Sequence, residues 1–549
     1  MSQLFPFLIV VPIVLPLLAT TLLLLISEKR KRYKPLLNFS ATVVGLVVAV
    51  AILVRVHRSG EIGVYLASNW EAPFGIVFVA DRLSALMLVL IGVVGLCTAL
   101  YAEAGWARAG VYFNPLFQIQ LMGLNGAVLT GDLFNLFVFF EVMLAASYGL
   151  QLHGSGWPRV RSGLHYIAVN LLASSLFLVG LAVLYGVVGT LSMADIADKI
   201  AQVPARDRGL LHAGAAILAM AFLIKAAIWP LNAWLVPAYA AASAPVAALF
   251  AVMTKIGVYV LLRLWTLLVS ADGASSSPFG QPVLLYGGLA TIAFGALGLL
   301  GSLRLGRIAS FSILVSSGTL LAALGMGVAA VTSAALFYML SATVAVSALF
   351  LLVELIERIG AGGRVASLDV EFSPGEDTNL DDEELPLVGR AFPVSLALLG
   401  LAFLSSALLV AGLPPLSGFI AKFALLAAIL NAEGGQGASA GISVAGWMTF
   451  GLLLFSGLAA TISFARAGIR HLWSTGGRFV PHLKSVEAIA VLALIASGAL
   501  LTVYAESVMQ FTSATAEGLH SPRAYIETVL STKARLGPRQ SPIGPGGSP

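Results

Sequence analysis

The fold is decided by apolar stretches such as residues 133–152, LFNLFVFFEVMLAASYGLQL, in which Glu141 is the only charged residue. About 20 residues of α-helix span the roughly 30 Å hydrocarbon core of a bilayer, so this stretch has the length of one membrane crossing. Gly131 and Asp132 separate it from the apolar run 115–131. One helix over 115–152 would be about 57 Å long, far more than a bilayer accommodates, so we expect two crossings here.

Apolar runs of similar length recur along the whole chain. The 549 residues are 59% hydrophobic and 10% charged, with a mean hydropathy of +0.95, whereas a soluble domain carries roughly 25% charged residues. The runs lie at 4–26, 36–56, 79–102, 115–131, 133–152, 162–188, 211–229, 243–268, 282–303, 308–327, 330–356, 393–430, 444–468 and 485–508. The sequence therefore predicts an all-α polytopic membrane protein with about 14 transmembrane helices. This composition excludes a soluble enzyme, a nucleic-acid-binding protein and a secreted disulfide scaffold.

The charges between the runs predict the orientation of the chain. Basic residues crowd into the loops at 29–34, 159–161, 304–307 and 466–484, which all fall on one side of a fourteen-helix arrangement. Because cytoplasmic loops are rich in Lys and Arg, we expect both termini on the outer (periplasmic) side of the inner or plasma membrane.

Two polar pieces lie outside the apolar runs. Residues 361–390 form an acidic segment on the cytoplasmic side, which is either a solvated linker or a docking site for a partner subunit. Residues 510–549 form a polar tail rich in Gly and Pro at its end, and we expect disorder beyond residue 535.

Four charged side chains fall inside the apolar runs, where each costs about 2.5–3.5 kcal/mol on insertion scales. They are Glu141, Lys225, Lys255 and Lys422. One interpretation is a structural ion pair between Glu141 and one lysine, which leaves two lysines unexplained. The other is a proton relay, because a buried ammonium group gives up its proton readily and responds to the charge of its neighbours. The relay is our working hypothesis.

Prolines interrupt two of the lysine-bearing runs. Pro230 cannot donate a hydrogen bond to the carbonyl of Ala226, close behind Lys225, while Pro414 and Pro415 interrupt the run that carries the last of the four lysines. Broken helices at membrane depth are typical of ion sites in inverted-repeat transporters. The two breaks lie five predicted helices apart, an odd offset that two inverted five-helix repeats would give.

A few other polar residues are lesser candidates. We expect Asp132 to be a turn residue and helix N-cap, with proton entry as a second interpretation. His165 is either a helix-packing residue or an accessory member of the relay, and Asp81 with Arg82 reads as an interfacial ion pair. The chain contains no HExxH, Walker-type or metal-spaced motif, so we expect no cofactor, no metal and no catalytic residues.

Three motifs resemble a known family. Residues 131–148, GDLFNLFVFFEVMLAASY, resemble the signature stretch of the D-type subunit of the Mrp-type (multiple resistance and pH) sodium/proton antiporter, which is related to the antiporter-like, proton-pumping subunits of respiratory complex I. Residues 229–235, WPLNAWL, followed by 254–259, TKIGVY, resemble the central motif of that superfamily. Residues 411–422, AGLPPLSGFIAK, are similar to the late broken helix of the D-type subunit.

The resemblance implies fourteen helices in two inverted repeats and membership of a six- or seven-subunit complex that exchanges sodium or potassium for protons. It also implies that Glu141 and Lys225 interact, that Lys255 is the central relay, and that Lys422 is the gate to the far exit.

One departure from the family concerns the helix between the last two lysines. Ser341 and Val346 stand where many relatives carry a His and often a Lys five residues later. Either waters held by Ser341 and Thr343 bridge this gap, or the second half-channel conducts poorly.

The expected organisation follows from these motifs. It comprises three N-terminal helices (1–110), a first repeat of helices 4–8 (111–268), a second repeat of helices 9–13 (282–468), a last helix (485–508) and the polar tail (510–549). We expect a proton-translocating subunit of a multisubunit cation/proton antiporter, whose partners are the other subunits, the lipid bilayer, protons and monovalent cations. The alternatives are a proton-pumping subunit of a complex I or hydrogenase-like redox complex, and a structural scaffold whose own channel is silent.

Overall fold

The computed structural model describes residues 5–26, 33–154, 156–271, 280–368, 394–434, 443–473 and 483–534. The acidic residues at 369–390, the basic residues at 29–32 and the tail beyond 534 lie outside the described residues.

Helices account for nearly all of the described chain. The first half contains α1 (Phe5–Leu25), α2 (Tyr33–Ser59), α3 (Arg82–Ala102), α4 (Phe113–Leu129), α5 (Leu133–Gln151), α6 (Trp157–Val188), α7 (Met193–Lys199), α8 (Arg208–Lys225), α9 (Leu235–Ala241) and α10 (Ala244–Ala271). The second half contains α11 (Gln281–Gly301), α12 (Leu305–Met326), α13 (Ala329–Leu368), α14 (Val394–Ala411), α15 (Ser417–Gly434), α16 (Val444–Gly468), α17 (Ser485–Val503), α18 (Ala505–His520) and α19 (Arg523–Ser531).

The predicted membrane architecture is confirmed. Within the described ranges, 13 helices are long and apolar enough to cross a membrane. The 17-residue α4 lies in the predicted run 115–131, and the shorter apolar part of α15, Ser417–Asn431, overlaps the run 393–430 that also contains α14. The predicted division at Gly131–Asp132 is present, because α4 ends at Leu129 and α5 begins at Leu133. The predicted run 393–430 is broken, as expected, into α14 and α15. The relation of the two halves by inverted symmetry stays a prediction.

A small β-hairpin closes one face of the bundle. Strand β1 (Gly63–Leu66) pairs antiparallel with β2 (Val77–Ala80), in the register Gly63↔Ala80. Phe78 forms an isolated bridge with Thr130, and Asp132 forms another with Ser192. These bridges tie the hairpin, the turn before α5 and the start of α7 together, so the N-terminus of α3 lies at this same face.

The core is centred on three helices that are buried over almost their whole length. The apolar windows of α10 and α12 are each 94% buried and that of α13 is 100% buried, against 28% for α2 and for α17. Polar side chains on α10, α12 and α13 are therefore enclosed by protein, whereas the outer helices expose apolar surface that suits lipid or partner subunits.

The chain after residue 503 adds structure that the sequence analysis did not anticipate. The last predicted helix, 485–508, ends at Val503, and α18 and α19 follow it. Thr512 lies 3.2 Å from Ser333, and His520 lies 3.0 Å from Thr332, both hydroxyls being on α13. The first part of the polar tail is therefore helical and docks on the core.

Candidate functional site

Lys225 is the last residue of α8 and is buried, with 7% of its surface exposed. Its Nζ lies 4.9 Å from the centroid of the Phe140 ring, a distance at which an aromatic face attracts a cation. The side chain lines a cavity of about 20 Å³ together with Tyr166, Asn170 and Trp234. The ammonium group is therefore enclosed beside a cavity with room for about one water.

The helix break behind Lys225 is held by hydroxyl groups of two neighbouring helices. The carbonyl of Ala226, which Pro230 leaves without its helical donor, accepts a hydrogen bond from Ser317 of α12. The N–H of Trp229 donates to Thr291 Oγ1 of α11 at 2.8 Å. Non-helical backbone at membrane depth is thus satisfied by protein, as the bilayer requires.

Glu141 lies half-buried on α5, where its Oε1 accepts a hydrogen bond from Ser174 of α6. Glu141 and Lys225 form no direct ion pair: of the ion pairs within 4.0 Å among the described residues, none joins these two side chains. Glu141 still interacts electrostatically with Lys225. The carboxylate is held by a hydroxyl and the ammonium by Phe140, so the two charges act on each other without contact.

Lys255 is fully enclosed on α10, with 1% of its surface exposed. Its Nζ donates to Ser316 Oγ of α12 at 2.5 Å, and that hydroxyl donates to the carbonyl of Ile313 at 2.9 Å. Two residues further along α10, a Cβ at Gly257 would lie 2.9 Å from the backbone nitrogen of Ala226. The helix that carries Lys255 therefore passes directly against the break that follows Lys225.

Lys422 lies on the first turns of α15 and is 8% exposed. Its Nζ donates to the carbonyl of Ala411, the last residue of α14, at 2.7 Å, so the lysine spans its own helix break. Gly412 lies in that break with a φ of +77°, and a Cβ there would be 2.5 Å from Lys422 Cδ. Only glycine suits both the backbone conformation and the approach of the lysine stem.

One cavity of about 20 Å³ reaches from the hydroxyl partner of Lys255 to Lys422. Its lining includes Ser316, Ser341, Val346 and Lys422. Ser341 Oγ lies 2.9 Å from Ser417 Oγ, at the start of α15. The volume admits about one water, and serine hydroxyls give that water polar partners.

The structure places the accessory candidates in different surroundings. Asp132 is the predicted N-cap, because its Oδ1 accepts from Asn135 N at 2.8 Å, and burial raises its pKa. His165 is exposed on α6, so it lies away from the lysines, and the neighbouring Tyr166 faces Lys225 instead. Thr343 donates to the carbonyl of Met339 in its own helix at 2.6 Å, so of the two predicted water-holding residues only Ser341 lines the cavity.

The expected ion pair of Asp81 with Arg82 is wrong. Asp81 caps α3 and forms a two-pronged pair with Arg263 of α10, at 2.6 and 2.7 Å. Arg82 donates instead to the carbonyl of Ala514, on α18. Sequence reasoning missed Arg263, although a lone Arg in the apolar run 243–268 was a signal that could have revealed a buried partner.

Comparison with known proteins decides the family. Residues 130–449 match the family described as NADH:quinone oxidoreductase/Mrp antiporter, TM. The chain belongs to this family. The matched range contains both helix breaks and the four proposed relay residues, Glu141, Lys225, Lys255 and Lys422.

Relatives within this antiporter family extend the match over nearly the whole chain. The D-type subunit of a probable K⁺/H⁺ antiporter of Rhizobium meliloti is 48% identical over 95% of this chain and 97% of its own length. The D-type subunit of a Na⁺/H⁺ antiporter of Alkalihalophilus pseudofirmus is 33% identical over 95% and 99%. The resemblance to the D-type subunit is therefore confirmed.

Solved structures agree with the same fold. The Mrp complex of Dietzia sp. contains a chain that is 27% identical, with a TM-score of 0.79 over 96% of this chain and 100% of that one. A chain of respiratory complex I from Thermus thermophilus, 20% identical with a TM-score of 0.72 over 95% and 100%, shares the fold.

Proposed function

We propose that this chain is the proton-translocating subunit of a multisubunit monovalent cation/proton antiporter, and that protons pass along Glu141, Lys225, Lys255 and Lys422. Its family and its D-type relatives support a transporter subunit rather than a catalytic enzyme. The relatives are named for K⁺/H⁺ and Na⁺/H⁺ exchange, so a monovalent cation is the exchanged ion.

The observation that carries the proposal is the polar line through the most buried helices. Lys255 donates to Ser316, and Ser316 shares one cavity with Lys422. Unpaired charges deep in a membrane protein are expensive and are kept where they serve ion movement. No carboxylate within 4.0 Å of either lysine appears among the ion pairs of the described residues, so a purely structural ion pair explains neither of them.

The geometry suggests how a proton would move. The Ser316 hydroxyl would first turn from the Ile313 carbonyl towards a water in the cavity. The ammonium of Lys255 would then give a proton to that hydroxyl while the hydroxyl passes its own proton to the water, and the resulting hydronium would protonate the neutral amine of Lys422 and become water again. Ser341 lines this cavity at the position where many relatives carry a His, which supports a bridging water over a poorly conducting half-channel.

The electrostatic interaction between Glu141 and Lys225 would control whether Lys225 carries a proton. Because the two groups interact without touching, a change in the charge of Glu141 alters how firmly Lys225 keeps its proton. The break behind Lys225 packs on the helix of Lys255, so the two lysines are neighbours in the same bundle. A charge change at one end is therefore passed to the next site by Coulomb interaction.

The assembly and its setting are part of the proposal. The chain acts with other subunits of a hetero-oligomeric complex in the cell's inner or plasma membrane, with both termini outside and two inverted repeats at 111–268 and 282–468. The solved relative in the Mrp complex supports the hetero-oligomeric assembly. The redox-complex alternative has weaker support, because the complex I chain at 20% identity shares only the fold.

The test uses the complete complex in inside-out membrane vesicles, with pH change driven by added Na⁺ or K⁺. Lys255→Ala removes the proton carrier, and Lys255→Arg keeps the charge but cannot release it, since a guanidinium stays protonated in proteins. We expect both variants to lose exchange while the complex still assembles. Lys34→Ala is the matched control, because Lys34 is also buried, at 7% exposed, but lies at the start of α2.

Retained exchange in an assembled Lys255→Ala complex would contradict the proposal and favour the silent scaffold. Equal loss in the Lys34→Ala complex would show that any buried lysine is needed for folding, and would remove the support for a specific role.

A further inference from the structure

A second polar space lies outside the line of lysines, beneath the C-terminal helices. It is a cavity of about 150 Å³, several times the volume of the cavities at Lys225 and Lys422. Its lining includes Glu61, Asp81, Arg82, Arg263, Gly518 and Tyr525. We call this space the vestibule. Gly518 is exposed, so the vestibule reaches the surface of the chain.

The inner end of the vestibule is charged. The Asp81–Arg263 pair lies there, with side chains 13% and 7% exposed. The guanidinium is flanked by the rings of Tyr259 and Tyr525, at 5.8 and 5.1 Å from their centroids. A cavity of this size has room for several waters, because about 10–15 Å³ of such volume suffices for one.

One face of α10 leads from the vestibule to the central lysine. Lys255, Tyr259 and Arg263 are spaced four residues apart, so they lie on one face over about 12 Å of helix. On α12, Ser316 is followed at the same spacing by Leu320 and Leu324. Ser316, the hydroxyl partner of Lys255, thus stands at the start of a second face, on α12, that runs in the same direction as the face on α10.

Between Lys255 and the vestibule these two faces enclose a small apolar space. This cavity, of about 20 Å³, is lined by Tyr259, Leu320, Leu324, Leu336 and Met339, among others. Leu83 lines both this cavity and the vestibule. Apolar constrictions of this kind close water paths by dewetting and open them when water enters.

We propose that the vestibule is an aqueous entrance through which protons reach Lys255, closed in this structure by the apolar constriction. The proposal rests on the proposed function and adds a third connection, separate from those at Glu141 and Lys422. When water fills the constriction, a hydronium ion in the vestibule passes a proton along that water to the neutral amine of Lys255. The amine becomes an ammonium group and a water molecule is left in the vestibule.

The test exploits the chain's single cysteine. Cys97 is buried on α3, so a Cys97→Ala background makes a new thiol the only cysteine of this chain that a membrane-impermeant sulfonate-bearing methanethiosulfonate can modify, and the complex with Cys97→Ala alone shows any effect of the reagent on other subunits. Gly518→Cys places that thiol in the vestibule, and a Cβ at this position meets nothing within 4 Å, so the substitution fits. Ala524→Cys provides a second lining position.

We expect the reagent, applied to the outer face of intact cells before inside-out vesicles are prepared, to modify both vestibule cysteines in the whole complex and to abolish most of the cation-driven pH change. Gln510→Cys is the control, because Gln510 is exposed on the same helix, α18, but does not line the vestibule. Its modification should leave exchange unchanged. Failure of the reagent to reach Gly518→Cys and Ala524→Cys, or full exchange after their modification, would overturn the vestibule.

The two proposals fail in different ways. If Lys255→Ala abolishes exchange but modified Gly518→Cys keeps it, the relay stands and the vestibule is not its entrance. If Lys255→Ala keeps exchange, the relay itself is wrong, and the vestibule has no central lysine to serve.

Discussion

Removing the carboxylate of Asp81 should destabilise the chain strongly, because it leaves a buried guanidinium without its partner. Arg263 is 7% exposed at its side chain and donates to both carboxylate oxygens at 2.6 and 2.7 Å. Breaking a buried pair by deleting one partner costs about 3–5 kcal/mol. Asp81 also caps α3 through Ser84 N at 2.9 Å, and loss of such a cap costs about 1 kcal/mol.

We therefore expect Asp81→Ala to lower the free energy of unfolding by about 4 kcal/mol or more at neutral pH. Burial would raise the pKa of Asp81, but the charge and hydrogen bonds of Arg263, with the hydrogen bonds of Ser84, outweigh burial and hold that pKa below 3.8. A lowered carboxyl pKa stabilises the fold at every pH above the unfolded value, and this contribution is lost only as the pH falls through the folded value. The pair is therefore fully formed at neutral pH.

The measurement is unfolding of the purified chain in mixed micelles by titration with a denaturing detergent. Asp81→Asn separates the two effects, because the amide oxygen can still cap α3 while the negative charge is gone, so its loss should be smaller. Asp207→Ala is the control: its pair with Arg206 is exposed, at 42% and 84%, and such pairs contribute about 0–1 kcal/mol. A loss for Asp81→Ala no larger than that of Asp207→Ala would refute the reasoning.

Two further predictions concern the break behind Lys225. Gly257→Ala should impair exchange although it changes no charge, because the added Cβ would lie 2.9 Å from Ala226 N. Gly186→Ala is the control: a Cβ there meets nothing within 4 Å, so this variant should exchange normally in the same vesicle assay. Ser317→Ala should lower the free energy of unfolding by about 1–3 kcal/mol, since it leaves the carbonyl of Ala226 buried without a donor. Unchanged exchange in the first variant, or unfolding of the second at the unaltered detergent concentration, would count against the role given to the break.

Local sequence was enough to predict the helices, the division at Asp132, the helix breaks and the burial of the lysines. Apolar run length predicted the helices, because the bilayer sets the length of a crossing. The split at Asp132 followed from the same limit, and the prolines predicted the breaks because they remove backbone donors. The lysines were predicted to be buried because they stand in the middle of apolar runs.

Pairing over long distances could not be predicted in this way. The sequence offers Arg82 as the neighbour of Asp81, but the fold supplies Arg263, 182 residues further on, because α3 and α10 pack side by side. Local sequence likewise did not indicate that Ser174 of α6 would donate to the carboxylate of Glu141. Such contacts depend on which helix faces meet, and one sequence does not state that.

The C-terminal helices show a signal that was present but unused. The sequence analysis expects a last helix over 485–508 and a polar tail over 510–549, because the end of the chain is rich in Gly and Pro. Val508, Phe511 and Leu519, followed by Tyr525 and Val529, recur at helical spacing and mark an amphipathic face. That periodicity would have predicted helices that lie on the core rather than cross the membrane.

The helix break behind Lys225 is held by hydrogen bonds from hydroxyl groups and not by ion pairs, and this determines how it can move. Ser317 and Thr291 each form one hydrogen bond with the backbone of that break, through the hydroxyl oxygen of a short side chain. A hydroxyl can be turned aside by rotating a single torsion, and a passing water can take its place on the peptide group. The break can therefore open without separating charges, because a water can replace each hydroxyl on the peptide group.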